Sequence, residues 1–435
     1  MARVVVIGGG FGGLASALRL AKLGHDVTLV EERDLGGALV PFTQDDFAWD
    51  AATYTLVPAV VRDLFRKTGR PLEKELDLVQ LDCLREHWFE DGTSVVLHAG
   101  RSDQHDAFEA LGAGLGTRWV DHVAAYADDW DVIRRGYAEV PWDPDHLSPD
   151  LAARFESRET LHKRLRRLRD ERLRLVAAHP FAADRHDLRN VPAWAGLTAY
   201  LEQRFGAWAF TGGTGALLAA LVRRLETRQV DVVHGAARDI VVRDGRAAAV
   251  ATTVGELDAE VVVCAVDPRR LPALAESVRR TMPAIPAAMT YLGLRGEVRD
   301  LPHELVVHSD PGLVVRTRGR APAGHHAWTV QCPGKQGEDP VAVLARHGVI
   351  GPDQVVSRAD LSPRDLVERW GGSPLGVLWE SRGTVRQRLG PRTPIAGVYA
   401  AGSHAAPGSG LPYVGLSAAL VAQVVGPASG ARGQR

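Results

Sequence analysis

Cysteine is scarce and never paired. Cys83, Cys264 and Cys332 stand apart, odd in number and without a Cys-x-x-Cys spacing, so neither a disulfide framework nor a zinc ribbon fits. Charge of one sign is missing too: 52 basic residues meet 53 acidic ones, a net charge of -1, and no broad field draws the chain to nucleic acid. No run reaches about 18 apolar residues, so no helical span is expected. Met1-Ala-Arg-Val-Val-Val-Ile leads straight into a core strand, without the basic, apolar and small-residue succession of a secretion signal. A reduced, cytoplasmic, soluble protein is the expectation. The absence of a Ser-His-Asp order, an H-E-x-x-H or a Walker motif disfavours hydrolysis and phosphoryl transfer. Lysine is rare, five (22, 67, 74, 163 and 335) against 47 arginines, which reads as the codon bias of a GC-rich genome. What is present is ordinary for a globular protein: 435 residues, 45% hydrophobic and 24% charged, enough for two or three domains around full-sized cores.

The first forty residues carry the strongest signal. Arg3 to Gly8 is a short β-branched run of the kind buried on both faces of a parallel sheet. Gly8-Gly9-Gly10-Phe11-Gly12-Gly13 follows, then apolar residues at helical spacing (Leu14, Ala17, Leu18, Ala21) up to Gly24, then a second strand, Asp26 to Glu31. In such a turn Gly8 permits the reversal, Gly10 lets backbone approach a pyrophosphate at the helix N-terminus, and Gly13 allows the helix to pack closely on the strand. Glu31 stands where a carboxylate accepts hydrogen bonds from ribose hydroxyls. The unit predicts dinucleotide binding.

Three further segments carry a family resemblance. Glu31-Glu32-Arg33-Asp34-Leu35-Gly36-Gly37-Ala38 resembles the Glu-x-Arg-x-x-x-Gly-Gly-Arg segment of the flavoprotein amine oxidase and carotenoid desaturase superfamily, with Ala38 in place of the basic residue. Tyr200-Leu-Glu-Gln-Arg-Phe-Gly-Ala-Trp-Ala-Phe-Thr-Gly-Gly-Thr-Gly-Ala-Leu217 is similar to a phytoene desaturase segment. Gly402-Ser-His-Ala-Ala-Pro-Gly-Ser-Gly-Leu-Pro-Tyr-Val414 is similar to the stretch that leads into the family's C-terminal helix, with Ala406 replacing its histidine. The resemblance implies FAD, held non-covalently because no cysteine lies in the C-terminal block. The cofactor-binding residues it implies, beside Gly8, Gly10, Phe11, Gly12, Gly13 and Glu31, are Glu32, Arg33, Gly36, Gly37, Ala38, Ala237 at the adenine, Gly402, Ser403, Pro412, Tyr413 and Val414. A helix starting near Val414 to Leu416 would face the flavin edge and stabilise negative charge there.

The implied fold is α/β: a Rossmann-type FAD-binding domain assembled from three sequence segments (1–75, 207–285 and 385–430) plus an α+β substrate domain (76–206 and 286–384) with an antiparallel sheet and helices. Pro286 to Cys332 reads as short strands, Asp244-Gly245 as a hairpin turn, and Ser362 as the cap of a helix ahead of a glycine-rich loop. The resemblance is weakest over residues 60–190. There, Ser157 to Ala178 reads as one amphipathic helix with Lys or Arg at 163, 164, 166, 167, 169, 172 and 174, either a solvated face paired with Glu156, Glu159, Asp170 and Glu171, a surface resting on anionic lipid, or a site for an acidic substrate.

An FAD enzyme of this kind takes hydride at flavin N5 and needs few acid-base groups. Asp50, Glu202 and His404 are the catalytic candidates, each with a plain alternative as helix cap, buried ion pair or loop histidine. The resemblance implies an oxidoreductase that desaturates or oxidises a hydrophobic polyene, isoprenoid or secondary-metabolite substrate, with oxygen or a quinone as acceptor. Amine oxidation, a redox-neutral isomerisation, and flavin-free binding of the GDP dissociation inhibitor type share the architecture. The amine oxidases use a lysine on a substrate-domain strand, and Lys335 is the only lysine nearby.

Overall fold

The computed structural model describes residues 1–334 and 337–428. Its first layer is a five-stranded parallel sheet in the order Val398–Ala400, Val261–Cys264, Arg3–Ile7, Asp26–Glu31, Asp231–His234. The strands come from three separated stretches of chain. They are short and β-branched because both faces are covered: Phe11–Lys22 and Leu411–Val425 pack against each other on one side, with Val4, Val6, Leu14, Leu18, Leu29 and Val263 at the centre of that core, and Ile240, Val250, Leu271 and Leu274 cover Val5, Ile7 and Val262 on the other. The hairpin Ala237–Arg243 and Arg246–Thr252, with Gly255–Asp258, forms a small antiparallel sheet beside it, and Asp244 and Gly245 both take positive φ at its turn.

The second layer is a seven-stranded sheet in the order Val355–Leu361, Ala288–Arg295, His325–Cys332, Leu313–Arg316, Glu304–Val307, Cys83–Trp88, Ser94–His98. Every pairing is antiparallel except that of Glu304–Val307 with Cys83–Trp88, where the strand contributed by the earlier part of the chain enters parallel. Ser362 caps Pro363–Trp370 in a reciprocal capping box with Asp365, and Gly371 ends that helix at φ +68°. No helix among the described residues is long and apolar enough to cross a membrane.

The single basic helix expected over 157–178 does not form. Leu161–Leu165 and a short 3-10 turn are followed by Arg169 at φ +57°, and a new helix, Glu171–Ala183, starts from the Asp170 cap. Asp170 wins because its carboxylate accepts from the amides of Arg172 and Leu173, which a continuous helix would not allow. Arg164 bridges Asp129 and Glu159, Arg167 pairs with Glu159, and Arg172 with Asp170. Of the seven cations at 163–174, those exposed and without an ion-pair partner among the described residues are Lys163, Arg166 and Arg169.

Candidate active site

Close packing of the first helix on the first strand creates the site. A β-carbon on Gly13 would lie 1.8 Å from the carbonyl oxygen of Gly8, so only glycine permits the contact. The helix Phe11–Lys22 starts at Gly10 with no side-chain cap and no acidic residue in its first turn, leaving amide donors and a partial positive charge for an anion. Glu31, at the end of the neighbouring strand, accepts from the amide of Gly9 at 2.5 Å and that of Arg33 at 2.9 Å. The second diglycine is tied to the first, the Gly36 amide donating to the Gly9 carbonyl at 2.8 Å.

These contacts wall a cavity of about 380 Å³ along the ends of the parallel strands. Gly8, Gly10, Phe11, Gly12, Glu31, Glu32, Arg33, Gly36, Gly37, Ala38, Ala237, Gly402, Ser403 and Val414 border it. Gly13, Pro412 and Tyr413 do not. Gly13 acts through packing, and Tyr413 packs with the cluster of Tyr126, Trp130, Leu197 and Leu201. The C-terminal helix starts at Leu411, three residues before the expected Val414, because Gly410 at φ +90° and Pro412 in the first turn set its entry; its free amides belong to Leu411 and Tyr413, and that of Val414 already reaches the Gly410 carbonyl. Near Glu31 the cavity is polar, with Glu32 paired to Arg270 at 2.8 Å and Gly235 and Ala237 alongside. Beyond the second diglycine it is mostly apolar, with Ala38, Leu39, Ala52, Trp370, Pro374 and Leu411, and Arg369, stacked on the Phe42 ring, stands at its edge.

Sequence reasoning missed Val266, Asp267, Arg270 and the loop Trp370 to Pro374, all of which border the cavity. The Gly371-Gly372 pair after a capped helix signals the loop. Arg270 carries no sequence signal, since its role comes from Glu32, far away in the chain.

The three catalytic candidates separate. His404 borders the cavity, 6% exposed, with neither ring nitrogen hydrogen-bonded among the described residues and Asp267 3.9 Å away. Burial holds its imidazole below the ordinary value, against the pull of Asp267. Asp50 lies off the cavity, 4% exposed, accepting from the Thr214 hydroxyl at 2.8 Å at the start of helix Gly213–Thr227, and burial raises its carboxyl. Arg320 stands 3.7 Å from its other oxygen, so Asp50 is a buried carboxylate tied to the helix start through the Thr214 side chain and faced by a cation.

Glu202 is also off the cavity, in a buried ionic cluster. Arg85, 2% exposed, donates to Glu202 at 3.0 and 3.1 Å, to Glu304 at 3.1 Å and to the Tyr54 hydroxyl at 2.9 Å, while Arg316 reaches Glu304 at 3.2 Å. Burial opposes ionisation of Glu304, yet Arg85 and Arg316 outweigh it and hold the carboxyl at about 2. Removing Arg85 leaves the buried Glu202 without a cationic partner and Glu304 with Arg316 alone, so Arg85→Met is expected to lower stability by about 3–5 kcal/mol, read as a fall in urea midpoint at unchanged slope.

Fold and cavity define a dinucleotide-binding protein. The residues fit an extended diphosphate-bridged cofactor: a β-carbon on Gly10 would meet no atom within 4 Å, so this open space adjoins uncapped helix amides, and the unpartnered His404 lies on the same cavity. Over residues 11–326 the chain matches the family Flavin containing amine oxidoreductase, and it belongs to that family. It is 27% identical to the zeta-carotene-forming phytoene desaturase of Myxococcus xanthus, over 97% of this chain and 93% of the relative. The all-trans-zeta-carotene desaturase of the same organism is 28% identical, over 96% and 92%. Among solved structures, a putrescine oxidase triple mutant from a redesign of cofactor binding superposes with a TM-score of 0.74 at 16% identity, covering 98% of each chain, a likeness of fold. The protein is an FAD-dependent oxidoreductase.

Proposed function

We propose that the enzyme desaturates or otherwise oxidises a hydrophobic polyene or isoprenoid substrate, passing electrons on to oxygen or a quinone, with residues 76–206 and 286–384 forming the substrate side and FAD held without a covalent bond. The observation that carries the reading is the wall beside the apolar end of the cavity. Phe42 and Tyr291 stack with ring centres 4.7 Å apart, Trp49 packs on both, and all share a cluster with Trp370 and Ala38, which border the cavity. FAD, when bound, supplies a two-electron acceptor. The cluster holds Ala38 and Trp370 in place on the cavity, where they would meet an extended apolar chain and help orient one C–H bond. Of the carboxylates bordering the cavity, Glu31, Glu32 and Asp34 lie at the end of Asp26–Glu31, in the polar part, while Asp267 lies 3.9 Å from His404. A base among the side chains therefore has two neighbouring candidates on the cavity, His404 and Asp267. The names of the two desaturase relatives support phytoene and zeta-carotene as first substrates to try.

Amine oxidation is the rival reading, favoured by the putrescine oxidase likeness of fold. Lys335 lies outside the described residues. The open cradle at Gly10 speaks against flavin-free binding of the GDP dissociation inhibitor type. Contact with an anionic membrane would rest on Lys163, Arg166 and Arg169, and salt-sensitive sedimentation with phosphatidylserine vesicles tests it.

Anaerobic mixing with phytoene, zeta-carotene and a set of amines, following the oxidised flavin band, decides between the readings. Bleaching by a polyene and by no amine is expected. The reverse pattern would overturn the proposal.

A further inference from the structure

A second cavity, of about 570 Å³, shares no residue with the first. It lies between the helix Glu171–Ala183 and the sheet strands Glu304–Val307 and Leu313–Arg316. Phe89, Leu175, Ala178, Ala182, Val306 and Val314 make its walls apolar. Two histidines interrupt them, and Glu90, Asp91, Glu171, Arg172 and Ser309 complete the polar part of the border. His179 is 6% exposed, and no hydrogen bond among the described residues engages its ring. Its nitrogens are not sealed in the packed chain as those of His404 are, so the imidazole opens on the cavity and is free to bond what the cavity takes up.

His308 presents a second polar atom. Its Nε2 lies 2.9 Å from Nδ1 of His87, the rings near-parallel at 9°, and Nε2 of His87 is buried without a partner. One of the facing nitrogens donates and the other accepts. When His87 donates, His308 carries its proton on Nδ1 and offers a donor; when His308 donates through Nε2, its Nδ1 is a bare acceptor. The pair can thus meet either a carbonyl or a hydroxyl by exchanging tautomers. Burial, the first cause in each case, keeps the imidazoles neutral: His179 is lowered to about 3, His308 to about 4, and His87 well below its ordinary value.

We propose that this cavity binds the oxygen-bearing end of an apolar chain, a terminal alcohol or carbonyl, hydrogen-bonded by His179 and His308, with His87 as a positioning residue for His308. The proposal rests on the functional reading above only in taking the chain to be an isoprenoid. Neutral imidazoles and apolar walls give a carboxylate end no counter-charge for the hydration it would lose. A carboxylate meets further resistance from Glu90, Asp91 and Glu171, which also border the cavity, against Arg172 alone.

Calorimetric titration of the flavin-loaded protein with farnesol, farnesal, farnesoic acid, farnesylamine and the hydrocarbon farnesene tests the site without turnover. Farnesol and farnesal are expected to bind about tenfold more tightly than farnesene, the worth of one or two neutral hydrogen bonds. His179→Phe and His308→Phe should shrink that preference to within about twofold while farnesene affinity persists. Ala178→Trp, at a half-buried wall position, fills the cavity and should abolish binding of all probes with flavin content unchanged. Equal affinity for alcohol and hydrocarbon, tighter binding of the acid or amine, or wild-type farnesol affinity in Ala178→Trp would each overturn the proposal. The ligand series and the filled variant decide the matter even if a histidine variant fails to fold. A polyene that leaves the flavin band unchanged would sink the functional reading and leave these titrations untouched.

Discussion

Gly10→Leu is expected to give a folded but colourless protein. The β-carbon of this residue would touch nothing within 4 Å, and its φ of -70° suits any side chain, so the leucine grows into the cavity rather than into the fold. There it takes the space beside the uncapped amides at the start of Phe11–Lys22. The loss of FAD affinity should be at least about a thousandfold, about 4 kcal/mol, which empties the protein of flavin during purification. Gly13→Ala supplies the contrast. Its methyl group would sit 1.8 Å from the Gly8 carbonyl oxygen, forcing the helix off the strand, and the expected result is loss of the folded protein itself. Flavin absorbance against circular dichroism separates the two. A yellow Gly10→Leu protein would contradict the assignment of the cradle.

Acid should destabilise the enzyme well above the pH at which its carboxylates titrate. Burial lowers His122, His186, His303 and His308 to about 4 and His179 to about 3. Above about pH 6.5 these rings are neutral in both states and cost nothing. Below it the unfolded chain binds protons that the folded one refuses, so stability falls as pH drops from about 6.5 toward 4. Asp184 works in the opposite sense: burial raises its carboxyl to about 6, and the cost of keeping it ionised is relieved as pH falls through that value. Between pH 7 and 5 each of the five histidines contributes roughly 2 kcal/mol of destabilisation and Asp184 returns about 1, a net loss on the order of 9 kcal/mol. Against a typical total of about 5–15 kcal/mol, this brings the protein close to unfolding near pH 5. Urea midpoints at pH 7.5, 6 and 5 check the trend, and unfolding at pH 5 should take up about four protons. A midpoint unchanged over that range would show that these rings already reach water.

The legible and illegible parts of this protein divide by range. Gly8 to Glu31 could be read because each demand is local: a turn, a helix start, and a strand ending beside both. Asp50 and Glu202 stood out in matched segments, but their tasks were hidden in their partners, Thr214 164 residues away and Arg85 117 residues away. The basic stretch of 157–178 misled because its heptad-like leucines continue through Arg169, whereas the Asp170 cap breaks the helix there. Arg270 and the Trp370 to Pro374 loop entered the cavity from stretches that no local pattern ties to it.

By itself the sequence determined the dinucleotide turn, the parallel strands and the kinship with flavin oxidoreductases, since hydrophobic period and glycine placement act over a few residues at a time. Only the tertiary structure decided which end of the cavity is polar, that Glu202 lies in an ionic cluster, and that His179, His87 and His308 gather on a second cavity. Those outcomes depend on burial, and burial is a property of the packed chain rather than of any segment.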